Sequence, residues 1–107
     1  MSLETEKWFL LFPADELGDD EARCVNVDGR KIAVYKSNGN CYASDDRCPH
    51  GNASLSEGWL EDGVIECPLH QSLFELKTGK VLNPPCKVDV QVYELKVESN
   101  KLHILLS

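Results

Sequence analysis

Two short runs, Cys48-Pro49-His50 and Cys67-Pro68-Leu69-His70, each set a thiol beside an imidazole, and sixteen residues separate them in a chain of 107. Thiolates are soft ligands that select iron-sulfur clusters, zinc or cuprous copper, while imidazole suits zinc, copper and iron. The four side chains together therefore indicate a centre of iron or zinc. Structural zinc sites usually draw like ligands from one loop or helix, whereas here each run supplies one thiol and one imidazole. That mixture suits a binuclear cluster straddled by both loops, with the thiolates on one iron and the imidazoles on the other. The proline after each cysteine fixes the local backbone and removes an N–H that would compete for sulfur.

The elements that must hold these runs read as strands. Val88, Val90 and Val92 alternate with Lys87, Asp89 and Gln91, the pattern of a half-buried strand. The phase then slips, because Tyr93, Leu95 and Val97 continue on odd numbers, which predicts a bulge or break near Val92 and Tyr93. Leu102, Ile104 and Leu106 make a closing strand. Asp28-Gly29 and Asn38-Gly39 signal tight hairpin turns between the runs 24–27, 31–36 and 40–44, so the first half is a β-meander. The stretch from Pro13 to Gly18 is long enough for one capped turn only, and the acidic cluster Asp19, Asp20 and Glu21 solvates the turn beside it. Residues from about 45 to 80 hold both Cys/His runs among four glycines and short strands. The expectation is one all-β domain over 1–107: an antiparallel scaffold, about 1–44 and 81–107, with an inserted subdomain, about 45–80, presenting the metal loops at one tip.

Bulk properties narrow the setting. Eighteen acidic against eleven basic residues give a formal charge of −7, which argues against a nucleic-acid or anionic-membrane partner; a basic protein partner fits better, and the alternative is that the acidity only keeps a small protein soluble. No basic segment followed by an apolar one opens the chain, and the apolar run Trp8 to Phe12 is too short to span a bilayer. With Cys48 and Cys67 assigned to metal, Cys24, Cys41 and Cys86 form no disulfide framework. The expected setting is a reducing cytoplasm. Cys24 and Cys41 read as small hydrophobes in hairpin strands, Trp8 and Trp59 as packing aromatics, Arg47 as a surface charge, and the lone His103 as a strand residue without a role.

The spacing Cys-x-His, sixteen residues, Cys-x2-His resembles the Rieske 2Fe-2S proteins, and the run from Cys67 to Gln71 is most similar to the small ferredoxins of bacterial aromatic-ring-hydroxylating dioxygenases of the naphthalene type. That resemblance implies an all-β Rieske fold carrying one 2Fe-2S cluster, with Cys48 and Cys67 on the buried iron and His50 and His70 on the outer one. It implies a non-enzymatic, soluble, monomeric one-electron carrier between an NAD(P)H-dependent ferredoxin reductase and a terminal oxygenase. Leu69 and Leu73 would border the histidines. High-potential relatives join their ligand loops by a disulfide; the equivalent positions here are Ala53 and Leu69. Their two cluster-directed hydroxyls fall at Ser72 and Phe74, so one survives, implying a potential near about −150 mV, the lower end of the Rieske range. Pro84-Pro85 matches a proline loop that covers the cluster in the family, or else simply breaks the chain between subdomain and scaffold. Alternatives in other classes are a Rieske-like small subunit of an enzyme such as nitrite reductase, and a structural zinc module.

Overall fold

A computed structural model describes residues 6–49, 51–69, 71–83 and 87–106. Ten strands run in chain order: β1 Lys7–Pro13, β2 Glu21–Val27, β3 Arg30–Ser37, β4 Asn40–Asp45, β5 Trp59–Glu61, β6 Val64–Glu66, β7 Leu73–Glu75, β8 Val92–Tyr93, β9 Leu95–Glu98 and β10 Lys101–Leu106. They form three antiparallel sheets, ordered β1-β10-β9, β2-β3-β4-β8 and β5-β6-β7. Among the described residues, no helix is long and apolar enough to cross a membrane.

Four hairpins share one device. Asp28-Gly29, Asn38-Gly39, Asp62-Gly63 and Ser99-Asn100 all place two successive residues at positive φ, the two-residue turn whose twist matches that of paired strands. The first two and the β2-β3-β4 meander stand as the sequence indicates. The turn at 14–16 is a single 3-10 turn. Its acidic neighbours act as stitches: Glu21 accepts the Gly18 N–H at 2.6 Å and Asp19 the Gly39 N–H at 3.0 Å.

The strand expected from Val88 to Val92 is largely absent. Residues 87–91 are irregular, with Val88 exposed and Val90 buried. This segment spends its polar groups on other elements: the Val90 N–H donates to the Gly79 carbonyl at 2.9 Å and Asp89 accepts the Val81 N–H at 2.9 Å. The break lies at Glu94 rather than at Val92-Tyr93, where the chain leaves the β4 edge for the β10 edge.

Strand β3 explains how the sheets become one body. Its run Ile32-Ala33-Val34-Tyr35 is fully buried on both faces, which a one-sided sheet does not require. Ile32 and Val34 enter a core with Phe12, Leu17, Val27, Ala43, Leu102, Ile104 and Leu106, between the two larger sheets. Ala33 and Tyr35, pointing the other way because side chains alternate along a strand, enter a second core with Cys48, Leu55, Ile65, Cys67, Phe74, Leu76 and Val90. Each such apolar side chain contributes about 1.5–3 kcal/mol when buried. The buried Tyr35 hydroxyl is satisfied by Ser44 Oγ at 2.8 Å. β3 is thus the wall on which the small β5-β6-β7 sheet and both cysteine loops rest.

Candidate metal centre

Both cysteine runs sit in six-residue loops of one design. In the first, the Cys48 N–H donates to the Ala53 carbonyl at 2.9 Å, just inside the Arg47–Ser54 bridge. In the second, which joins β6 to β7, the Cys67 N–H donates to the Ser72 carbonyl at 2.8 Å, just inside the Glu66–Leu73 pair. Within the first loop the Gly51 N–H returns to the Cys48 carbonyl at 3.1 Å, a turn of four residues. Within the second the Gln71 N–H returns to the Cys67 carbonyl at 3.0 Å, a turn of five, with Gln71 at φ 59°. The extra turn residue accounts for Cys-x-His in one loop and Cys-x2-His in the other. In each case the histidine immediately precedes the residue that closes the turn.

Cys48 and Cys67 are both fully buried and belong to one core. His50 and His70, with the proline loop Pro84, Pro85 and Cys86, lie outside the described residues. Two buried thiols on matched loops are a soft donor pair shielded from water, a chemistry that fits an iron-sulfur cluster. Ser72 is fully buried directly behind the second loop, and Phe74 fills the core beneath it. At the two positions that the resemblance equates with a disulfide of high-potential proteins, Ala53 is buried and Leu69 is 64% exposed.

Polar clamps hold the loops. The Arg47 guanidinium spans the first, donating to Asn52 Oδ1 at 2.7 Å and more weakly to the Gly51 carbonyl at 3.5 Å. Asn83 spans the second, its Oδ1 accepting the Leu73 N–H at 2.6 Å and its Nδ2 donating to the Gln71 carbonyl at 3.4 Å. The buried Asp46 ties the first loop to the wall: its N–H donates to the Lys31 carbonyl at 3.0 Å, and its Oδ1 accepts the Ser56 N–H at 3.0 Å. Arg47 is therefore more than the surface charge its sequence position suggests. Asn83 and Asp46 carry no sequence signal beyond a polar residue beside a proline and a polar residue beside a ligand run.

Other expectations change. Trp59 is 69% exposed and does not pack in a core. Cys24 is exposed on β2, and its thiol is pushed up by partial burial and then by Asp46; Cys41 is half-buried against the scaffold core, and burial pushes it up. The Tyr93 hydroxyl donates to Asp45 Oδ1 at 2.5 Å, and burial with that carboxylate pushes its pKa up to about 12. His103 lies on β10 with Nδ1 3.2 Å from the Lys101 carbonyl, a local contact.

A three-sheet β-body whose two like loops bring buried thiols into one core fits the iron-sulfur electron-transfer class. The Rieske [2Fe-2S] domain model matches residues 7–94, and the chain belongs to that family. It is 39% identical over 103 residues to the ferredoxin component of the naphthalene 1,2-dioxygenase system of Pseudomonas aeruginosa, covering 96% of this chain and 99% of the relative. It is 44% identical to the 3-phenylpropionate/cinnamic acid dioxygenase ferredoxin subunit of Photorhabdus laumondii, over 87% of this chain and 89% of that one. Its fold matches a chain in the complex of reduced oxygenase and oxidized ferredoxin in carbazole 1,9a-dioxygenase, with TM-score 0.86, 38% identity and 91% of each chain covered. The Sphingomonas yanoikuyae B1 ferredoxin matches with TM-score 0.89 and 28% identity, covering 94% of this chain and all of that one. The chain is accordingly a Rieske ferredoxin, a one-electron carrier rather than a catalyst, with one Rieske-type 2Fe-2S cluster.

Proposed function

We propose that this ferredoxin takes single electrons from an NAD(P)H-dependent reductase and delivers them, as a cytoplasmic monomer, to the terminal oxygenase of an aromatic-ring dioxygenase system. Cys48 and Cys67 bind one iron, and His50 and His70 supply the imidazoles of the other. The observation that carries the ligand assignment is the matched loop design, in which two fully buried thiols open two six-residue loops on one core. Residues about 45–80 act as the cluster-bearing subdomain on a scaffold of about 1–44 and 81–107, and the small β5-β6-β7 sheet, separate from the two scaffold sheets, supports that division.

When bound, the cluster supplies a site that accepts and releases one electron. The chain's own residues do the rest. Cys48 and Cys67 hold metal away from water, while Arg47 and Asn83 keep the loop backbones from moving as the charge changes. Leu69, Pro49 and Pro68 are exposed on the loops and give partners a mostly apolar approach surface, and the acidic body favours encounter with basic partners.

Reconstitution tests this reading: purified reductase and oxygenase from a dioxygenase system, NAD(P)H, an aromatic substrate, and this protein added or withheld. Product formation that depends on the ferredoxin is expected. Turnover that is the same without it, or absent with every oxygenase while a nitrite reductase gains activity, would overturn the assignment.

A further inference from the structure

Trp59 opens the small sheet and leaves 69% of its surface in solvent, the most of any large apolar side chain among the described residues. The indole is held rather than loose, since its Nε1 donates to Glu61 Oε1 at 3.3 Å. It stands between two clefts. One, of about 400 Å³, is lined by Asp20, Gly58, Leu60 and Glu61; the other, of about 240 Å³, reaches Cys67 and Pro68 past Glu57 and Glu66. The described lining residues thus include four carboxylates and no lysine or arginine, and among the described residues none of the four carboxylates forms an ion pair.

The molecule treats its other tryptophan differently. Trp8 is covered by its own cation, with Lys96 Nζ 4.3 Å from the ring centroid, and Phe12 is likewise covered by Arg23 at 4.4 Å. Among the described residues no cation lies over Trp59, although carboxylates line both clefts beside it. An aromatic face ringed by carboxylates is the environment in which a guanidinium or ammonium is attracted both by the ring and by charge. None of the described residues supplies that cation, so the indole face is open to one from outside the molecule.

We propose that Trp59, with Glu57, Glu61, Glu66 and Asp20, forms a docking face for a redox-partner protein that presents a cationic patch, with one partner arginine or lysine over the indole. The proposal rests on the carrier reading and adds where a basic partner binds: beside the Cys67 loop, on the flank of the small sheet. Electron transfer there breaks no bond; one electron leaves the reduced cluster and reduces the partner's oxidised centre.

The test uses the reduced holo-protein and ferric cytochrome c as a cationic redox probe, mixed by stopped flow over a range of ionic strength. Trp59→Ala and the double variant Glu57→Gln/Glu61→Gln are expected to lower the second-order rate constant about five- to twenty-fold at low salt and to flatten its salt dependence. Glu6→Gln/Glu94→Gln, an equal loss of exposed charge elsewhere, is expected to change the rate less than about twofold. The visible spectrum stays at its wild-type form in all three, and the midpoint potential of Trp59→Ala stays at the wild-type value, which separates docking from damage to the site. Equal losses in the two double variants, or a wild-type rate in Trp59→Ala, would overturn the docking face. A wild-type protein that takes up an electron yet passes none to any acceptor would instead overturn the carrier reading.

Discussion

Gly58 couples the turn after Leu55 to the strand that leads into Cys67, and replacing it with alanine separates steric support of the site from general stability. Its φ of −83° and ψ of −169° are open to any residue, so glycine is not required there for its conformational freedom. A Cβ, however, would lie 1.9 Å from the Glu66 carbonyl oxygen and 3.2 Å from that of Leu55. Ordinary contact begins near 3.4 Å, so β6 must retreat by about 1.5 Å, one residue before a proposed ligand; shifts forced by overpacking cost about 1–3 kcal/mol. Alanine's stiffer unfolded chain returns only about 0.4–1 kcal/mol. Gly63 is the control: it needs φ 77°, but nothing lies within 4 Å of its Cβ position, so alanine there costs about 1–2 kcal/mol of left-handed strain without touching the site. Both variants should lower the melting temperature, by about 5–15 °C in a domain of this size. Only Gly58→Ala should also alter the visible circular dichroism of the bound cluster and speed its loss on incubation. Gly58→Ala with a wild-type melting point and cluster spectrum, or Gly63→Ala with an altered spectrum, would refute the steric reasoning.

Arg47→Ala removes a positive charge beside Cys48 together with the strut across its loop. It should lower the midpoint potential by about 20–40 mV, the one-electron equivalent of the roughly 0.5–1 kcal/mol an exposed charge contributes, measured by protein-film voltammetry against a wild-type value near about −150 mV; an unchanged or raised potential counts against it. For Tyr93, a folded pKa raised to about 12 from the ordinary phenol value of 10.0 means that the folded state holds the phenol proton more tightly. Its stabilising contribution is complete below pH 10 and is lost as pH climbs toward 12, so Tyr93→Phe should make the alkaline loss of stability less steep in urea titrations across that window. An unchanged alkaline slope would show that the phenol is not perturbed by its setting. For Cys41, whose thiol is raised by burial, alkylation by iodoacetamide at neutral pH should be slower than that of a model thiol; a faster reaction would contradict the environment described.

The sequence reveals most where local chemistry and tertiary structure agree. Asp28-Gly29 and Asn38-Gly39 demand tight turns wherever they occur, and they form them. The Cys/His spacing carries the site because it encodes the lengths of two closed turns, four residues and five, on loops of equal size. Alternation misleads at Val88, Val90 and Val92, because that pattern says one residue in two faces the core but does not supply a strand to pair with. The Gly79 and Val81 hydrogen bonds claim that backbone instead. Ser99-Asn100 is invisible as a hairpin because it lacks glycine, and the cation over Trp8 alone is invisible because Lys96 lies far along the chain. The clamps at Arg47 and Asn83 escape for the same reason: a polar side chain near a ligand run is commonplace, and only the folded loop shows which backbone atoms it reaches.

The central claim is that Cys48, His50, Cys67 and His70 together hold one redox-active 2Fe-2S cluster. Pulsed EPR of the dithionite-reduced protein tests it most directly, because nitrogen couplings report imidazoles bound to the reducible iron. Wild-type protein should show two histidine nitrogen couplings, His70→Cys one with a lowered midpoint potential, and His103→Ala both. A reduced centre without nitrogen coupling, a chain that binds zinc and no iron after iron-replete expression, or a His70→Cys variant that retains both couplings would contradict the account.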